Sequence, residues 1–144
     1  MIEVAEACLS HKFEKEPLII GTSGRYEFHN KGLDLFFDAL KTLETSGKLD
    51  REILAYVTVP AANLGSRNDL QMHLQDKSQP IDASQYRYST HVLEYQAWDQ
   101  VAGAINGSVL DKAESKVKVI FVPTYLKKYC SCAELKRTTI KEPL

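Results

Sequence analysis

The fold of this chain is decided by residues 18–59, which read LIIGTSGRYEFHNKGLDLFFDALKTLETSGKLDREILAYVTV. The apolar run Leu18-Ile19-Ile20, which ends at Gly21, is typical of a buried strand. A second apolar run, Ile53 to Val59, is rich in aliphatic and aromatic residues and ends at Pro60. These two runs predict two strands of one sheet.

The segment between the two strands has the period of a helix. Counted from Leu33, apolar residues recur at offsets of 0, 3, 4, 7 and 10, which is one face of a helix. Asn30 is the expected N-cap, and Gly47 is the expected stop. A strand, a helix and a strand in this order predict a βαβ unit with parallel strands.

The rest of the chain continues the alternation. We expect a short helix within residues 1–15, a polar stretch 61–88 with a short helix over 69–74, a helix over 91–106, and a clear strand over 117–123. The predicted fold class is therefore α/β: a Rossmann-like, partial parallel sheet of about three strands flanked by helices. Residues 1–126 form this partial domain, and residues 127–144 form a tail that does not fit it.

Composition excludes several classes of protein. The 144 residues carry a formal net charge of -1, which argues against a general nucleic-acid or membrane-surface binder. No apolar run approaches the roughly 20 residues that cross a bilayer, and the acidic, amphipathic N-terminus does not resemble a secretory signal. We therefore expect a cytoplasmic protein. The three cysteines, Cys8, Cys130 and Cys132, lack the spacing of a metal or redox site, so no metal is expected.

The connection between the first strand and the helix, residues 21–32, is the candidate binding loop. Ligands of open α/β sheets bind beyond the carboxyl ends of the strands, where such loops lead into helices. Gly21 and Gly24 permit backbone conformations that are closed to other residues. A helix starting near Lys31 would offer unpaired N–H groups, and Arg25 and Lys31 would add two positive charges suited to phosphate.

This pattern has a simpler interpretation. The loop matches neither G-x-G-x-x-G nor G-x-x-x-x-G-K-[ST], so neither dinucleotide nor P-loop chemistry is indicated. From spacing alone, an ordinary strand-to-helix connection with surface charges is the stronger interpretation. Glu27 either orients one of the two cations or faces solvent.

Two motifs carry a resemblance to a known family. Gly24-Arg25-Tyr26-Glu27-Phe28-His29-Asn30-Lys31-Gly32 resembles the G-R-Y-E-F-x-N-K-G motif of the eukaryotic-type glycogen synthases. Thr90-His91, followed by Lys116 to Pro123 (KVKVIFVP), is similar to the T-H…V-K-V-I-F-x-P stretch of the same family. The resemblance covers residues 1–126 and implies the first half of a GT-B donor domain.

The resemblance also implies an activity and roles for residues. The family is composed of retaining glycosyltransferases that transfer glucose from UDP-glucose to the non-reducing end of an α-1,4-glucan. Its motif arginine and lysine contact the donor diphosphate, which implies this binding and catalytic role for Arg25 and Lys31, beside Gly21 and Gly24. Donor binding in this fold requires no metal, and the resemblance implies no cofactor beyond the donor substrate.

The chain also departs from the family. The family's glutamate motif, E-P-W-G-Y-T-P-x-E, and its N-terminal domain are not found in this sequence. We therefore expect the chain by itself to be inactive as a transferase. The alternative is a non-catalytic α/β module that completes the sheet of another chain. In either case, an uncovered sheet edge would favour self-association into a homo-oligomer.

Other residues have both a functional and a structural interpretation, and the structural one is favoured for each. The functional candidates are His91 as an acid or base, Tyr26 and Phe28 as pocket walls, Tyr86-Arg87-Tyr88 as a stacking surface, and Asp34 with Asp38 as a metal or acid–base pair. For His91 we expect instead a capping or core-edge position, and for Tyr26 and Phe28 packing beneath the loop. For residues 86–88 we expect a polar loop, and for Asp34 and Asp38 an exposed helix face. His29 is expected to face solvent, and Trp98 to lie in the core or at an interface.

Overall fold

The computed structural model describes residues 1–82 and 84–124. In chain order the elements are helix α1 (Ile2–Leu9), strand β1 (Leu18–Ser23), helix α2 (Leu33–Thr45), strand β2 (Ile53–Thr58), strand β3 (Asn63–Ser66), helix α3 (Asn68–Gln75), strand β4 (His91–Leu93), a 3₁₀ turn (Gln96–Trp98), helix α4 (Gln100–Ile105), a second 3₁₀ turn (Val109–Asp111) and strand β5 (Val117–Phe121). The predicted tail and its two cysteines lie outside the described residues.

The main sheet has three parallel strands in the order β1-β2-β5. Leu18 of β1 is in register with Ile53 of β2, and Ile53 is in register with Val117 of β5. The α/β class and the three-stranded parallel sheet are therefore confirmed. The central strand β2 is buried on both sides, which explains its continuous apolar sequence.

Side chains alternate between the two faces of the sheet along each strand, so apolar residues lie on both faces. Helices pack on both of them. Ile53, Ala55 and Val57 point to a core that includes residues of α2 and α4. Leu54 and Tyr56 point to a second core that includes residues of α1 and α3. This double cover is the arrangement of a Rossmann-like fold.

Strand β1 is correctly predicted, but its burial is not. Leu18 is 45% exposed and Ile19 is 39% exposed, whereas the sequence pattern predicted a buried strand. The physical reason is position: in the part of the chain that the structure describes, β1 pairs only with β2, so it is an edge strand there. An apolar run alone does not distinguish an edge strand from a central one.

The helix ends differ in detail from the prediction. Helix α1 stops at Leu9, because Ser10 adopts a left-handed conformation with φ of 49°. Helix α2 begins at Leu33 with Gly32 as its N-cap, so the assignment of Asn30 as the N-cap was wrong. Gly47, with φ of 65°, follows the end of α2 as predicted.

The predicted helix over residues 91–106 was wrong in its first half. His91–Leu93 form β4, a 3₁₀ turn follows, and only Gln100–Ile105 are α-helical. Strand β4 pairs with β3, which the sequence analysis did not detect. The N–H of Ala61 and the side chain of Asn63 both donate to the carbonyl of Pro123, immediately after β5. This small second sheet therefore lies at the carboxyl end of the main sheet.

Two further features concern composition. Cys8 is a free thiol in the core on the α1 side, and its burial raises its pKa to about 12, so this thiol is inert at neutral pH. Among the helices within the described ranges, none has the length and apolar character needed to cross a membrane.

Candidate functional site

The candidate loop lies where the sequence placed it, between the end of β1 and the start of α2. Gly24 has φ of 150° and Gly32 has φ of 67°, two conformations that a side chain would strain. Gly21 differs from the prediction: it lies inside β1, opposite Tyr56, and its φ is not in the left-handed region. Of the two predicted glycines, only Gly24 therefore adopts a backbone conformation that other residues avoid.

The N–H groups at the start of α2 are already used. Leu33 and Asp34 donate to the carbonyl of Phe28 at 2.9 and 3.2 Å, and the N–H of Leu35 donates to the Asp34 carboxylate at 2.8 Å. The N–H groups of Lys31 and Gly32 donate to carbonyls earlier in the loop. The prediction that this helix start offers unpaired N–H groups was therefore wrong, and binding of an anion falls to side chains.

Arg25 and Lys31 are the two cations of the loop, and both side chains are exposed. Within residues 1–82 and 84–124, neither side chain makes a hydrogen bond or an ion pair, and the half-buried Glu27 does not neutralise them. Neither Arg25 nor Lys31 lines the two grooves beside α1, whose volumes are about 540 and 590 Å³. The two positive charges therefore stand on open surface at the carboxyl end of the sheet.

The backbone of the loop is folded between the two cations. The N–H of Glu27 donates to the carbonyl of Arg25 at 2.9 Å, and the N–H of Lys31 donates to the carbonyl of Glu27 at 2.9 Å. One compact turn thus separates the two cationic residues. These bonds fix the backbone between the two residues, and both side chains are exposed.

Tyr26 anchors the loop from below. Its hydroxyl donates to the carboxylate of Asp99 at 2.9 Å and accepts the N–H of Val101 at 2.9 Å. Burial raises the pKa of Tyr26, so the phenol stays neutral. Phe28 stacks on Phe37 with ring centroids 6.2 Å apart. The predicted packing of both aromatic residues beneath the loop is confirmed.

His29 and Asp34 form a pair at the outer side of the loop. His29 is exposed, as predicted, and its Nδ1 lies 2.8 Å from a carboxylate oxygen of Asp34. This hydrogen bond and the N–H of Leu35 lower the pKa of the Asp34 carboxyl. The carboxylate therefore supplies negative charge at the positive end of α2. Within the described part of the chain, no cluster of three His, Cys, Asp or Glu side chains is placed to hold a metal ion.

The other candidate residues are dispersed. His91 is buried in β4, where its Nδ1 lies 2.8 Å from the Thr90 hydroxyl, so the interpretation as a core histidine is supported over the acid–base one. Tyr88 is buried and stacks on Tyr86, which corrects the prediction of a polar loop there. Trp98 is 86% exposed, so it does not lie in the core; its other expected place, an interface, stays a prediction.

A buried arginine was missed by the sequence analysis. Arg67 is 1% exposed, and its guanidinium donates to the Asp69 carboxylate at 2.6 and 3.1 Å. It also donates to the carbonyls of Tyr86 and Ser89, each at 3.1 Å. The two carbonyls lie 19 and 22 residues away in the chain, so no local pattern indicates this network. Its role is to hold the segment before β4 against α3.

Comparison of the chain with models of known protein families and with curated proteins gave no match. The family resemblance drawn from the two motifs therefore stays a prediction.

Proposed function

We propose that this chain binds the diphosphate of a nucleotide sugar, UDP-glucose, through Arg25 and Lys31. In this proposal the chain is part of a glycogen synthase, a cytoplasmic enzyme that transfers glucose with retention to the non-reducing end of an α-1,4-glucan. The observation that carries the proposal is the pair of exposed cations without a protein partner among the described residues, on a loop anchored at the carboxyl end of a parallel sheet.

The charges suit a diphosphate. Arg25 presents a planar fork of N–H donors that matches phosphate oxygens, and Lys31 presents a compact point charge. Because the N–H groups of α2 are occupied, the two side chains provide the charge that neutralises the ligand. We therefore expect binding to weaken as the salt concentration rises.

The same pair would assist the chemical step. When the bond between the anomeric carbon and the β-phosphate oxygen breaks, negative charge grows on that oxygen. Cations held near it stabilise the transition state more than the ground state. By analogy with the loss of one oxyanion donor, removing either cation would cost roughly 3 kcal/mol of transition-state stabilisation in the complete enzyme.

A titration followed by NMR tests donor binding on this chain. UDP and UDP-glucose at millimolar concentration are expected to shift the amide signals of residues 21–32. Arg25→Ala and Lys31→Ala are each expected to weaken binding by at least about tenfold, because each removes one of two charges on the phosphates. Lys48→Ala is the matched control: Lys48 is an exposed lysine in the turn after α2, and its loss is expected to leave binding unchanged.

Two results would contradict donor binding. One is the absence of shifts in residues 21–32 at millimolar UDP-glucose. The other is equal weakening by all three alanine variants, since that would indicate a diffuse charge effect instead of a site on this loop.

The edge of the sheet supports a second candidate function, a module that completes a sheet by pairing between chains. Among residues 1–82 and 84–124, no strand pairs with the outer edge of β1. This strand exposes Leu18 and Ile19, and Leu18–Ser23 contains neither a charged residue nor proline. Natural edge strands commonly carry such residues to prevent pairing. The unprotected edge favours association with a second strand, and a second copy of this chain is the simplest source.

Sedimentation velocity tests this association. We expect a dimer to appear as the protein concentration rises to about 100 μM, and Ile19→Lys to shift the equilibrium to the monomer because it places a charge in the edge strand. Leu35→Lys, at a residue of α2 that is 70% exposed, is the control and is expected to leave the dimer intact. A monomer of the unmodified chain at the highest concentration would refute self-association.

A further inference from the structure

A cavity of about 220 Å³ lies at the amino end of the main sheet, whereas the candidate loop follows the carboxyl end of β1. Lys118, the second residue of β5, lines this cavity. Lys118 is in register with Leu54 of β2, which packs on the α1 side of the sheet. Residues 9–11, at the end of α1, also line the cavity. The cavity therefore lies between the start of β5 and the end of α1.

Lys118 is a buried lysine without a counter-ion in the described part of the chain. The residue is 5% exposed, and lysines this deeply buried are rarely left unpaired in proteins. Its Nζ donates to the carbonyl of Ala113 at 2.6 Å. Among residues 1–82 and 84–124, this neutral oxygen is its sole hydrogen-bond acceptor, and no carboxylate forms an ion pair with it. An ammonium group has three N–H donors, so two donors and one positive charge are left for a ligand.

The acidic groups around the cavity do not supply the missing negative charge. Burial lowers the pKa of the Lys118 amine, and three nearby carboxylates offset this decrease only in part: Glu44, Glu52 and Glu114. Glu52 is paired with His11 at 2.7 Å, and Glu44 accepts a backbone N–H at 2.8 Å. The carbonyl end of α1 adds roughly half a negative charge, but none of the carbonyls of α1 accepts a hydrogen bond from Lys118.

The other cations of the cavity are paired or exposed to solvent. The guanidinium of Arg87 lies 3.4 Å from the carboxylate of Asp111. His11 has its partner in Glu52, and Lys112 is exposed. One buried positive charge is therefore uncompensated, which suits a ligand with a single negative charge.

The rest of the lining favours an organic ligand. Leu9, Leu110 and Val119 are apolar residues of the cavity, and the groove of about 540 Å³ shares part of its lining with it, including Tyr88. In that groove Tyr88 stacks on Tyr86 with ring centroids 5.3 Å apart. An acid with an apolar or aromatic body can therefore place its charge in the cavity and its body against these walls. Inorganic phosphate, with up to two charges at neutral pH and no apolar surface, matches neither the charge nor the walls.

We propose that this cavity binds the carboxylate of a small organic acid, with Lys118 as its counter-ion. In the bound state the two remaining N–H groups of Nζ donate to the carboxylate oxygens, and the apolar part of the acid lies against the apolar lining. The site does not depend on nucleotide-sugar binding, because it lies at the other end of the sheet from the candidate loop.

A titration with benzoate, followed by the amide signals of residues 110–113 and 117–119, tests this site in the unmodified chain. We expect saturable shifts with a Kd of about 5 mM or lower. Benzamide has nearly the same size and no charge. It is expected to bind at least about tenfold more weakly, because it cannot neutralise the buried ammonium. Inorganic phosphate is expected to bind more weakly than benzoate.

The amine itself and two variants locate the binding. Saturating benzoate is expected to raise the pKa of Lys118, read from the NMR signals of its side chain, because an anion stabilises the charged amine. Lys118→Met keeps a side chain of similar length without the charge, and it is expected to weaken benzoate binding at least about tenfold. Lys116→Met is the matched control. Lys116 also donates to a carbonyl, that of Leu49 at 2.7 Å, but it is exposed and does not line the cavity, so we expect unchanged binding.

Four results would overturn the carboxylate site: no saturable shifts up to about 20 mM benzoate, equal affinities for benzoate and benzamide, tighter binding of phosphate than of benzoate, or an unchanged affinity in Lys118→Met. The comparison of benzoate with benzamide uses the unmodified chain, so it decides the question even if Lys118→Met does not fold. The proposed donor function fails separately, through the absence of shifts in residues 21–32 with UDP-glucose.

Discussion

Arg67→Met is expected to lower the free energy of unfolding by about 3 to 5 kcal/mol, which is the usual cost of removing one partner of a buried ion pair. The guanidinium of Arg67 is fully enclosed and donates to one carboxylate and two carbonyls. Methionine fills similar volume but leaves these acceptors without their donor. Burial alone would raise the pKa of Asp69, but Arg67 and the N–H of Asp82 outweigh it and hold that pKa below its usual value.

Urea unfolding at neutral pH measures this loss. Arg51→Met is the matched control: Arg51 is exposed and donates to the carbonyl of Glu16, and we expect a change within about 0.5 kcal/mol. The double variant Arg67→Met with Asp69→Leu separates charge from packing. It is expected to lose less stability than Arg67→Met alone, because it removes the orphaned carboxylate. Equal losses for Arg67→Met and Arg51→Met would show that the Arg67 network contributes nothing measurable.

Lowering the pH from 7 to 5 is expected to cost about 2 kcal/mol of stability through His91 alone. His91 is 6% exposed, and burial lowers its pKa to about 4, well below the usual value of 6.5. Between these two values the unfolded chain binds the proton and the folded chain does not. The contribution of His91 to the free energy of unfolding is therefore fully present above about pH 6.5, and it decreases as the pH drops towards 4.

Urea unfolding at a series of pH values measures the slope. His91→Gln is expected to flatten it between pH 7 and pH 5, since glutamine keeps polar atoms near Thr90 and Ser66 and does not titrate. Carboxylates with lowered pKa, such as Asp69 and Asp76, lose their contribution only below about pH 4.5, outside this window. An unchanged slope in His91→Gln would contradict a buried neutral histidine.

The parts of the fold that were predictable are those in which local pattern and tertiary packing agree. Strand β2 is almost wholly apolar because both of its faces are covered, and β5 is apolar apart from the buried Lys118. Helix α2 buries the face that its period marks, including Phe37 and Leu40. In residues 91–106 the local pattern and the tertiary packing disagree. Leu93 and Val101 fit one helical face, but Leu93 is buried as a residue of β4, and Asp99 starts a new helix as its N-cap. Pairing with β3 overrides the helical period there.

The candidate site was predictable as a location and less so as a geometry. The positions of Arg25 and Lys31 follow from the strand-to-helix connection at the carboxyl end of β1. The occupation of the N–H groups of α2 could not be predicted from the sequence, because it depends on the left-handed conformation of Gly32 and on the carbonyl of Phe28. The anchor between Tyr26 and Asp99 joins residues far apart in the chain and carries no local signature.

The two residues of that anchor, Tyr26 and Asp99, lie 73 residues apart in the chain, so they are synthesised at different times. Ribosomes add about 5 to 20 residues per second, so Tyr26 leaves the ribosome seconds before Asp99. Strands β1 and β2 are complete by residue 58 and can pair while the loop between β1 and α2 still lacks its tether. We expect β1 and β2 to pair first and the candidate site to acquire its shape only after residue 101 has been added and packed, while β5 (Val117–Phe121) joins the sheet later still.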